Sequence, residues 1–372
     1  MERQNTKSIF HNINFIRFIF SVIIVYFHMT PHIAKLITDE QILNIYNIMR
    51  TRCESSNLIV EMFFIVAGYF LFKNIISKPQ QSWFEFAWDK VCRLWPVLAF
   101  AIACSFLLDL LGVIRINAYT NFINLFFFQC IGITLAYKGI NWYISSYFAG
   151  ILFYGYILKS FKPKYANLII ALCTYFALVA TVNHFNGHSG RETFAIVLNG
   201  GVLRALYGIG IGYFIALLQE TCKKHFKPIK DTIITKLIVT GIEGYCLVFL
   251  INNLVFHKNS YSNQVLLFMI VFSILFYTFI AQKGFISRLL NQNWLGFCGK
   301  YAYSIYAMQQ IAFYLLGATL WKNSSFITNI PLCISVSLIF ATVLGIATYY
   351  LIEQPIGKKM KNCFIQNQKI QP

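Results

Sequence analysis

The sequence predicts an all-α, polytopic transmembrane helix bundle of about ten spans, with one further short segment that is re-entrant or interfacial. Two features of composition predict this class: 58% of the 372 residues are hydrophobic, and only 12% are charged, about half the charged share of soluble domains. The third is the recurrence of apolar runs near the length of about 20 residues that crosses a bilayer. A soluble fold of this size cannot bury so much apolar surface, whereas lipid accepts it. We expect residues 1–372 to form a single membrane-embedded domain with no appended soluble domain.

The predicted spans follow one another along the whole chain. The first follows a short polar start that lacks the features of a cleavable signal peptide. In order, the ten predicted spans are 13–29, 58–76, 91–113, 141–158, 167–182, 194–218, 237–256, 264–281, 294–316 and 331–352. An additional apolar run, 121–136, is too short for a confident span, and we interpret it as re-entrant or as lying at the outer interface.

The basic residues orient this bundle. With ten spans and a cytoplasmic N-terminus, 20 of the 31 Lys and Arg residues fall on the cytoplasmic side, 8 outside and 3 within spans. Eleven spans would put the basic loop 73–93 on the wrong side. The positive-inside rule therefore favours ten spans with both termini in the cytoplasm. Because topology accounts for the net charge of +18, we expect no nucleic-acid partner, and the lipid bilayer is the predicted surrounding.

The cysteines do not indicate metal or disulfide chemistry. The ten cysteines are scattered, with no CxxC pair and no cluster of Cys and His. Six of the ten lie inside apolar runs, where a free cysteine behaves as a small buried hydrophobic residue. We therefore expect no metal site and no disulfide framework.

Arg17 and His28, both in the first predicted span, are the strongest candidates for function. They are 11 residues apart, so they share one face of a helix and lie about 16 Å apart along its axis. An ionised side chain within a span costs about 2.5–3.5 kcal/mol and usually faces a cavity in which it acts. A cation near the cytoplasmic side and an imidazole above it suit a long ligand with an anionic end. In the alternative interpretation, Arg17 extends to lipid headgroups and His28 is a polar cap at the interface.

Further charged residues lie at the cytoplasmic depth of Arg17. Lys90 and Arg93 begin the third span, and together with Arg17 they form a basic ring that suits the phosphates of a nucleotide-like donor. The alternative for this ring is ordinary positive-inside charge. Lys300 enters the ninth span and Glu353 leaves the tenth at a similar depth, so these two residues are able to pair in a structural role.

Two more charged residues lie within or at the ends of spans. Glu61 enters the second span from outside, near the depth of His28, and a contact between them would orient the imidazole and raise its basicity. Glu61 can instead cap its helix or face outer-leaflet water. Arg204 lies mid-membrane beside small residues that are spaced for close helix packing, so it either contacts substrate or holds the bundle together.

Seven segments of the sequence resemble the integral-membrane acyltransferase-3 family, whose members O-acylate bacterial glycans. In family order they are IRFIFSVIIVYFH, which holds an Arg-x10-His signature, then EMFFIVAGYFLF, KVCRLWPVL, NWYISSYFAGILFYGYIL, GVLRALYGIGIGYF, AYSIYAMQQ and YYLIEQPIGKKM. Together they cover nearly the whole chain. The sequence departs from the family pattern at Asn14, Ala67, Tyr147, Ala302 and Gln309, where members commonly carry Asp, Ser, Glu, Ser and His respectively.

The resemblance implies a donor site on the cytoplasmic side and an acceptor site facing outward. The donor would be acyl-CoA, most often acetyl-CoA, with its phosphates near Arg17, Lys90 and Arg93. The acceptor would be a hydroxyl of a glycan, whether a polysaccharide, a lipopolysaccharide or an oligosaccharide. The resemblance also implies a location in the bacterial inner membrane.

The resemblance further implies that His28 performs the chemistry. It would act as a general base, assisted by Glu61, or would carry the acyl group briefly. Trp142, Tyr143 and Arg204 are candidates for stabilising the developing oxyanion or for binding substrate.

Two other classes of function remain open at this point. A transporter or flippase for a lipid-linked glycan or a small anion also needs intramembrane charges. Such proteins often contain paired halves with broken helices at matching positions, and this sequence shows no such symmetry. A membrane-embedded scaffold or a receptor would account for the loops but would leave Arg17 and His28 without a task.

Overall fold

The computed structural model describes residues 10–128, 142–185, 193–195, 198–227, 231–256 and 261–370. These residues form a bundle of α-helices, which confirms the predicted all-α, polytopic class. A pair of short antiparallel strands, β1 (Thr193–Ala195) and β2 (Leu198–Asn199), leads into one helix. The α-helices are α1 (His11–Ala34), α2 (Glu40–Arg52), α3 (Ile59–Ser77), α4 (Trp83–Leu110), α5 (Ala118–Asn124), α6 (Trp142–Ser160), α7 (Pro163–Phe185), α8 (Gly200–His225), α9 (Ile233–Ile251), α10 (Tyr261–Ala281), α11 (Phe285–Leu289), α12 (Asn293–Cys298), α13 (Ala302–Ala318), α14 (Ser324–Thr328), α15 (Ile330–Thr348) and α16 (Gln354–Ile370).

Eight helical stretches in the described part of the chain are long and apolar enough to cross a membrane. They correspond to eight of the ten predicted spans. The stretches are His11–Ala34, Glu40–Ser77, Trp83–Leu110, Pro163–Phe185, Gly200–His225, Ile233–Phe256, Gln264–Ala281 and Ile330–Gln366. The other two predicted spans, 141–158 and 294–316, overlap α6 and α13, which have 19 and 17 residues. Neither helix reaches this combination of length and hydropathy.

The structure describes all of the segment between the first two predicted spans, but only part of the short apolar run 121–136. The segment between the first two predicted spans, 30–57, contains α2, whose N-terminal N–H groups bond to the Asp39 carboxylate at 2.8 and 3.0 Å. Of the run 121–136, only the part up to residue 128, including the end of α5, falls among the described residues. Its re-entrant or interfacial position stays a prediction because the rest lies outside the described residues.

The first turn of α1 is held by residues far away in the sequence. The N–H of His11 donates to the Asn291 side-chain oxygen at 2.8 Å, so a distant residue caps a helix whose own N-cap, Phe10, has no capping side chain. The Asn12 side chain donates to the carbonyls of Phe279 and Ser287 at 2.9 and 3.2 Å. The chain around residues 279–291 therefore fixes the position of α1, and with it the position of Arg17, about one turn further along the helix.

Helices α3 and α8 pack closely because each contributes a glycine that lies against the backbone of the other helix. Gly68 lies against the backbone of Ile209, and Gly212 lies against the carbonyl of Ile65. At both places an added side chain would collide with backbone atoms, which cannot rotate away. The small residues after Arg204 therefore pack helices together, as the sequence predicted.

Replacing Gly212 by leucine is expected to lower stability by at least the roughly 1–3 kcal/mol typical of overpacking. The new side chain would meet a main-chain carbonyl in α3. The midpoint of thermal unfolding in detergent micelles measures this change. Gly241→Leu in α9, where the space around the new side chain is open, is the matched control and should leave the midpoint unchanged. An unchanged midpoint for Gly212→Leu would show that the close approach of α3 and α8 does not limit stability.

Candidate active site

A cavity of about 120 Å³ lies between α1, α3, α4, α6 and α13, and we call it the tyrosine cavity. Four tyrosines line it: Tyr143 and Tyr147 from α6, and Tyr303 and Tyr306 from α13. Their rings give the wall apolar faces, while their hydroxyl groups can donate or accept hydrogen bonds. Such a wall suits a ligand that is largely apolar and carries a few polar groups.

Three basic residues line the same cavity. They are Arg17 from α1 with Lys90 and Arg93 from α4, the three residues that the sequence predicts to form a basic ring. In the part of the chain that the structure describes, none of the three forms an ion pair. Among the described residues, the Arg17 guanidinium donates one long hydrogen bond, 3.4 Å to the side-chain oxygen of Asn14. Since Arg17 faces a cavity, it does not serve as a lipid-facing residue that extends to headgroups.

A wider cavity of about 370 Å³ adjoins the tyrosine cavity, and we call it the mouth cavity. Arg17 and Arg93 line both cavities, so these two guanidinium groups stand where the cavities meet. Lys300 adds a third cation, and Asn14 and Asn293 add neutral polar groups. Guanidinium groups bind phosphate and carboxylate through a planar fork of donors, so the junction can hold an anionic group of a ligand that extends into both cavities.

His28 lies further along α1 than Arg17, on the same unbroken helix. Its ring is partly buried and packs against Phe27, with ring centres 4.9 Å apart. His28 is not among the described residues that line the tyrosine cavity or the mouth cavity. The structure thus places Arg17 in a cavity and His28 about 16 Å away along the helix axis.

Glu61 and Arg204 form a buried ion pair between α3 and α8. The Arg204 guanidinium donates to both carboxylate oxygens of Glu61, at 2.5 and 2.8 Å, and to the carbonyl of Asn57 at 2.9 Å. The Tyr207 hydroxyl donates to the same carboxylate at 2.7 Å. Both charged side chains are at most 2% exposed. A buried pair of this kind is satisfied by its partners, and it links the two helices.

The predicted contact between Glu61 and His28 is therefore wrong. The carboxylate of Glu61 faces Arg204 and Tyr207 because a guanidinium offers two charge-assisted hydrogen bonds, whereas an imidazole offers one. Arg204 in turn lies over the ring of Trp142, 4.9 Å from its centre. Glu61 and Arg204 hold the bundle together, and Trp142 packs against this pair.

The predicted pair between Lys300 and Glu353 is also wrong. The Lys300 ammonium lies 3.2 Å from the ring centre of Phe297 and donates to the Tyr350 hydroxyl at 3.1 Å. Glu353 accepts a hydrogen bond from the Ser304 hydroxyl at 2.5 Å. Cation–π contact satisfies the ammonium in the mouth cavity, so it does not reach the carboxylate.

A family model described as an acyltransferase domain matches residues 10–351. The chain belongs to the acyltransferase-3 family. Neither a search of curated proteins nor a search of solved structures finds a match. This multi-pass membrane protein is therefore an acyltransferase, which decides against the transporter and the scaffold or receptor alternatives.

Most of the wall of the tyrosine cavity in this acyltransferase was not predicted from the sequence. Tyr143 was a candidate, but Tyr147, Tyr303 and Tyr306 were not identified as cavity residues. Their spacing carried a usable signal, because residues three or four apart share one helix face. Tyr143 and Tyr147 lie within the family-like segment NWYISSYFAGILFYGYIL, and Tyr303 and Tyr306 lie within AYSIYAMQQ. Each of these segments therefore places two tyrosines on one helix face.

Replacing Glu61 of the acyltransferase by glutamine is expected to lower its free energy of unfolding by about 3–5 kcal/mol, because Arg204 stays buried without a charged partner. The double variant Glu61→Met with Arg204→Met removes both charges and should recover much of this loss. Thermal unfolding of the purified proteins measures both effects. If Glu61→Gln unfolds at the wild-type midpoint but loses activity, Glu61 belongs to the chemistry and not to the scaffold.

Proposed function

We propose that this acyltransferase is an O-acetyltransferase of the bacterial inner membrane, with both termini in the cytoplasm. It would move an acetyl group from cytoplasmic acetyl-CoA to a hydroxyl of a cell-surface or exported glycan. The observation that carries the proposal is that Arg17 and Arg93 line both the mouth cavity and the tyrosine cavity. A donor with phosphates at one end and an uncharged, flexible arm at the other matches this arrangement, with the phosphates in the mouth cavity and the arm in the tyrosine cavity.

The donor would bind with its phosphates at the mouth. Lys300, Arg93 and Arg17 would hold the phosphates, since all three line the mouth cavity. The arm would pass Arg17 and enter the tyrosine cavity, where Tyr143 and Tyr147 offer hydroxyl groups and ring faces. By the positive-inside rule, the basic residues of the mouth cavity also agree with a position on the cytoplasmic side of the membrane. Acyl-CoA is available on that side.

The acetyl transfer would take place beyond the tyrosine cavity, toward His28. The acceptor hydroxyl oxygen forms a bond to the thioester carbonyl carbon, and the carbon–sulfur bond breaks. His28 takes the hydroxyl proton and passes it to the departing sulfur, so CoA leaves as a free thiol. In the covalent variant, an imidazole nitrogen bonds to the thioester carbonyl carbon, the carbon–sulfur bond breaks, and the proton lost by the imidazole converts the departing thiolate to free CoA thiol. The hydroxyl oxygen then bonds to the same carbon, the carbon–nitrogen bond breaks, and the hydroxyl proton returns to the imidazole. Tyr143 is placed in the cavity wall and can donate to the developing oxyanion.

The acceptor would approach from the opposite side of the membrane. Its chemical class is a glycan, whether a polysaccharide, a lipopolysaccharide or an oligosaccharide. Two points support this class. Members of the family O-acylate bacterial glycans, and His28 lies near the C-terminal end of α1. The acceptor carries a hydroxyl that needs a general base, because a neutral alcohol is a weak nucleophile.

His28→Ala is expected to reduce acetyl transfer at least about 100-fold, the lower range for removal of a general acid–base group. Membranes that contain the variant are incubated with labelled acetyl-CoA, and label on surface glycan is measured. His225→Ala, which changes an exposed histidine at the end of α8, is the control and should retain full transfer. Normal labelling with His28→Ala would remove His28 from the mechanism, and absence of labelling with the wild-type protein would remove the proposed donor or acceptor.

Arg17→Ala is expected to raise the donor KM about tenfold or more, because it removes a cation from the junction of the two cavities. With an acetyl-pantetheine thioester, which lacks the nucleotide phosphates, the KM values of Arg17→Ala and wild type should converge. Arg115→Ala, an exposed arginine after α4, is the control and should behave as wild type. A donor KM that rises equally with both thioesters would show that Arg17 acts on the arm or on the fold and not on phosphate.

A further inference from the structure

The charges around the two cavities are unbalanced. Arg17, Lys90, Arg93 and Lys300 line them, and none of the described residues that line either cavity is acidic. Cations in a poorly solvated region are costly when no counter-charge is near. An acidic group placed just behind the wall would lower this cost as long as the cavities hold no anion.

Glu353 is such a group. It is 9% exposed and is held by the Ser304 hydroxyl, and the neighbouring residue Tyr303 lines the tyrosine cavity. Its turn, Tyr349–Glu353, packs against α4, the helix that carries Arg93, and α1, the helix that carries Arg17, contacts the start of α13 beside Ser304 through the bond from the Ser21 hydroxyl to the Ala302 carbonyl. Within the described residues Glu353 forms no ion pair with either arginine. A carboxylate in this place would act on the two guanidinium groups through space and would leave their donors available to a ligand.

The backbone around Glu353 is shaped to hold this position. Glu353 ends a π-helical turn, Tyr349–Glu353, which packs against α4. Such turns add one residue to a helix, redirect the side chains there, and are common at functional sites. One turn later, Gly357 lies against the carbonyl of Cys92, which Pro96 leaves without its usual helical donor. Helix α16 is thereby seated on the part of α4 that carries Arg93.

We propose that Glu353 is a positioning residue that serves as a resident counter-charge for Arg17 and Arg93 and thereby weakens the binding of the anionic donor. This inference rests on the proposed donor, acetyl-CoA. A charge that stabilises the empty site more than the loaded one lowers ligand affinity by the difference between the two. The same repulsion favours release of the product, because CoA keeps its phosphates after the acetyl group has left.

The test replaces the charge and keeps the shape. In Glu353→Gln, the Kd for CoA and the donor KM are expected to fall about fivefold to tenfold, the range for one unit charge at a partly screened distance. The kcat is expected to fall as well, because product leaves more slowly. Ser304→Ala keeps the charge but releases it from its anchor, and should shift the same constants in the same direction by less. Glu40→Gln makes the same chemical change on the exposed surface of α2 and should leave both constants unchanged.

A purely structural role for Glu353 predicts a lower unfolding midpoint without any gain in affinity. Unchanged or weaker binding of CoA to folded Glu353→Gln protein, measured by calorimetry in detergent, would overturn the inference. If Glu353→Gln does not fold, Ser304→Ala decides, and an unchanged CoA affinity in that variant overturns it.

A second probe separates this inference from the proposed function. If wild-type protein binds no CoA, the proposed donor is wrong, and inorganic pyrophosphate then tests the counter-charge alone. Pyrophosphate should bind more tightly to Glu353→Gln than to wild type, and equal or weaker binding would reject the role given to Glu353.

Discussion

Arg17 carries a guanidinium group into a helix that lipid would otherwise surround, so it needs either a charged partner or a solvated space. In this structure Arg17 lies beside a cavity and not beside a charged partner. It lines both the tyrosine cavity and the mouth cavity, as does Arg93. Much of the surrounding architecture serves this arrangement. Asn291 fixes the start of α1, and the hydroxyl of Tyr303 bonds to the backbone of α4 beside Arg93, at 2.6 Å from the Leu94 carbonyl. The cations are thus kept available and close together despite their mutual repulsion.

Arg204 meets the same physical requirement in the opposite way. It is 1% exposed and its guanidinium is occupied by Glu61, Asn57 and the face of Trp142. A satisfied arginine of this kind stabilises the contact of α3 with α8, but it has little capacity left for a ligand. The comparison separates two uses of one residue type within a single bundle. An arginine whose donors are taken up by protein belongs to the scaffold, and one that faces a cavity is a candidate for binding.

Hydropathy and charge bias predicted the helical class, the positions of the long helices and the meeting of Arg17 with Lys90 and Arg93. These features depend on depth in the membrane, which a sequence encodes through the order of apolar and basic residues. The partners of Glu61 and Lys300 were not predictable in this way. Depth alone made His28 a neighbour of Glu61, but the rotation and contacts of α3 and α8 bring Arg204 to it instead, 143 residues away in the sequence. The π-helical turn before Gln354 likewise redirects Glu353 in a manner that an ideal helical period does not anticipate.

The cap that Asn291 places on α1 has a consequence for biogenesis. His11 and Asn291 are 280 positions apart, so α1 keeps an open N-terminal turn until the ribosome has made the segment that contains Asn291. The mouth cavity shares this dependence, since Asn14 and Arg17 come from α1 while Asn293 and Lys300 come from the segment that follows Asn291. The mouth cavity is accordingly complete only after this segment has been inserted. A chain arrested before this segment would carry correctly inserted early helices without a finished entrance.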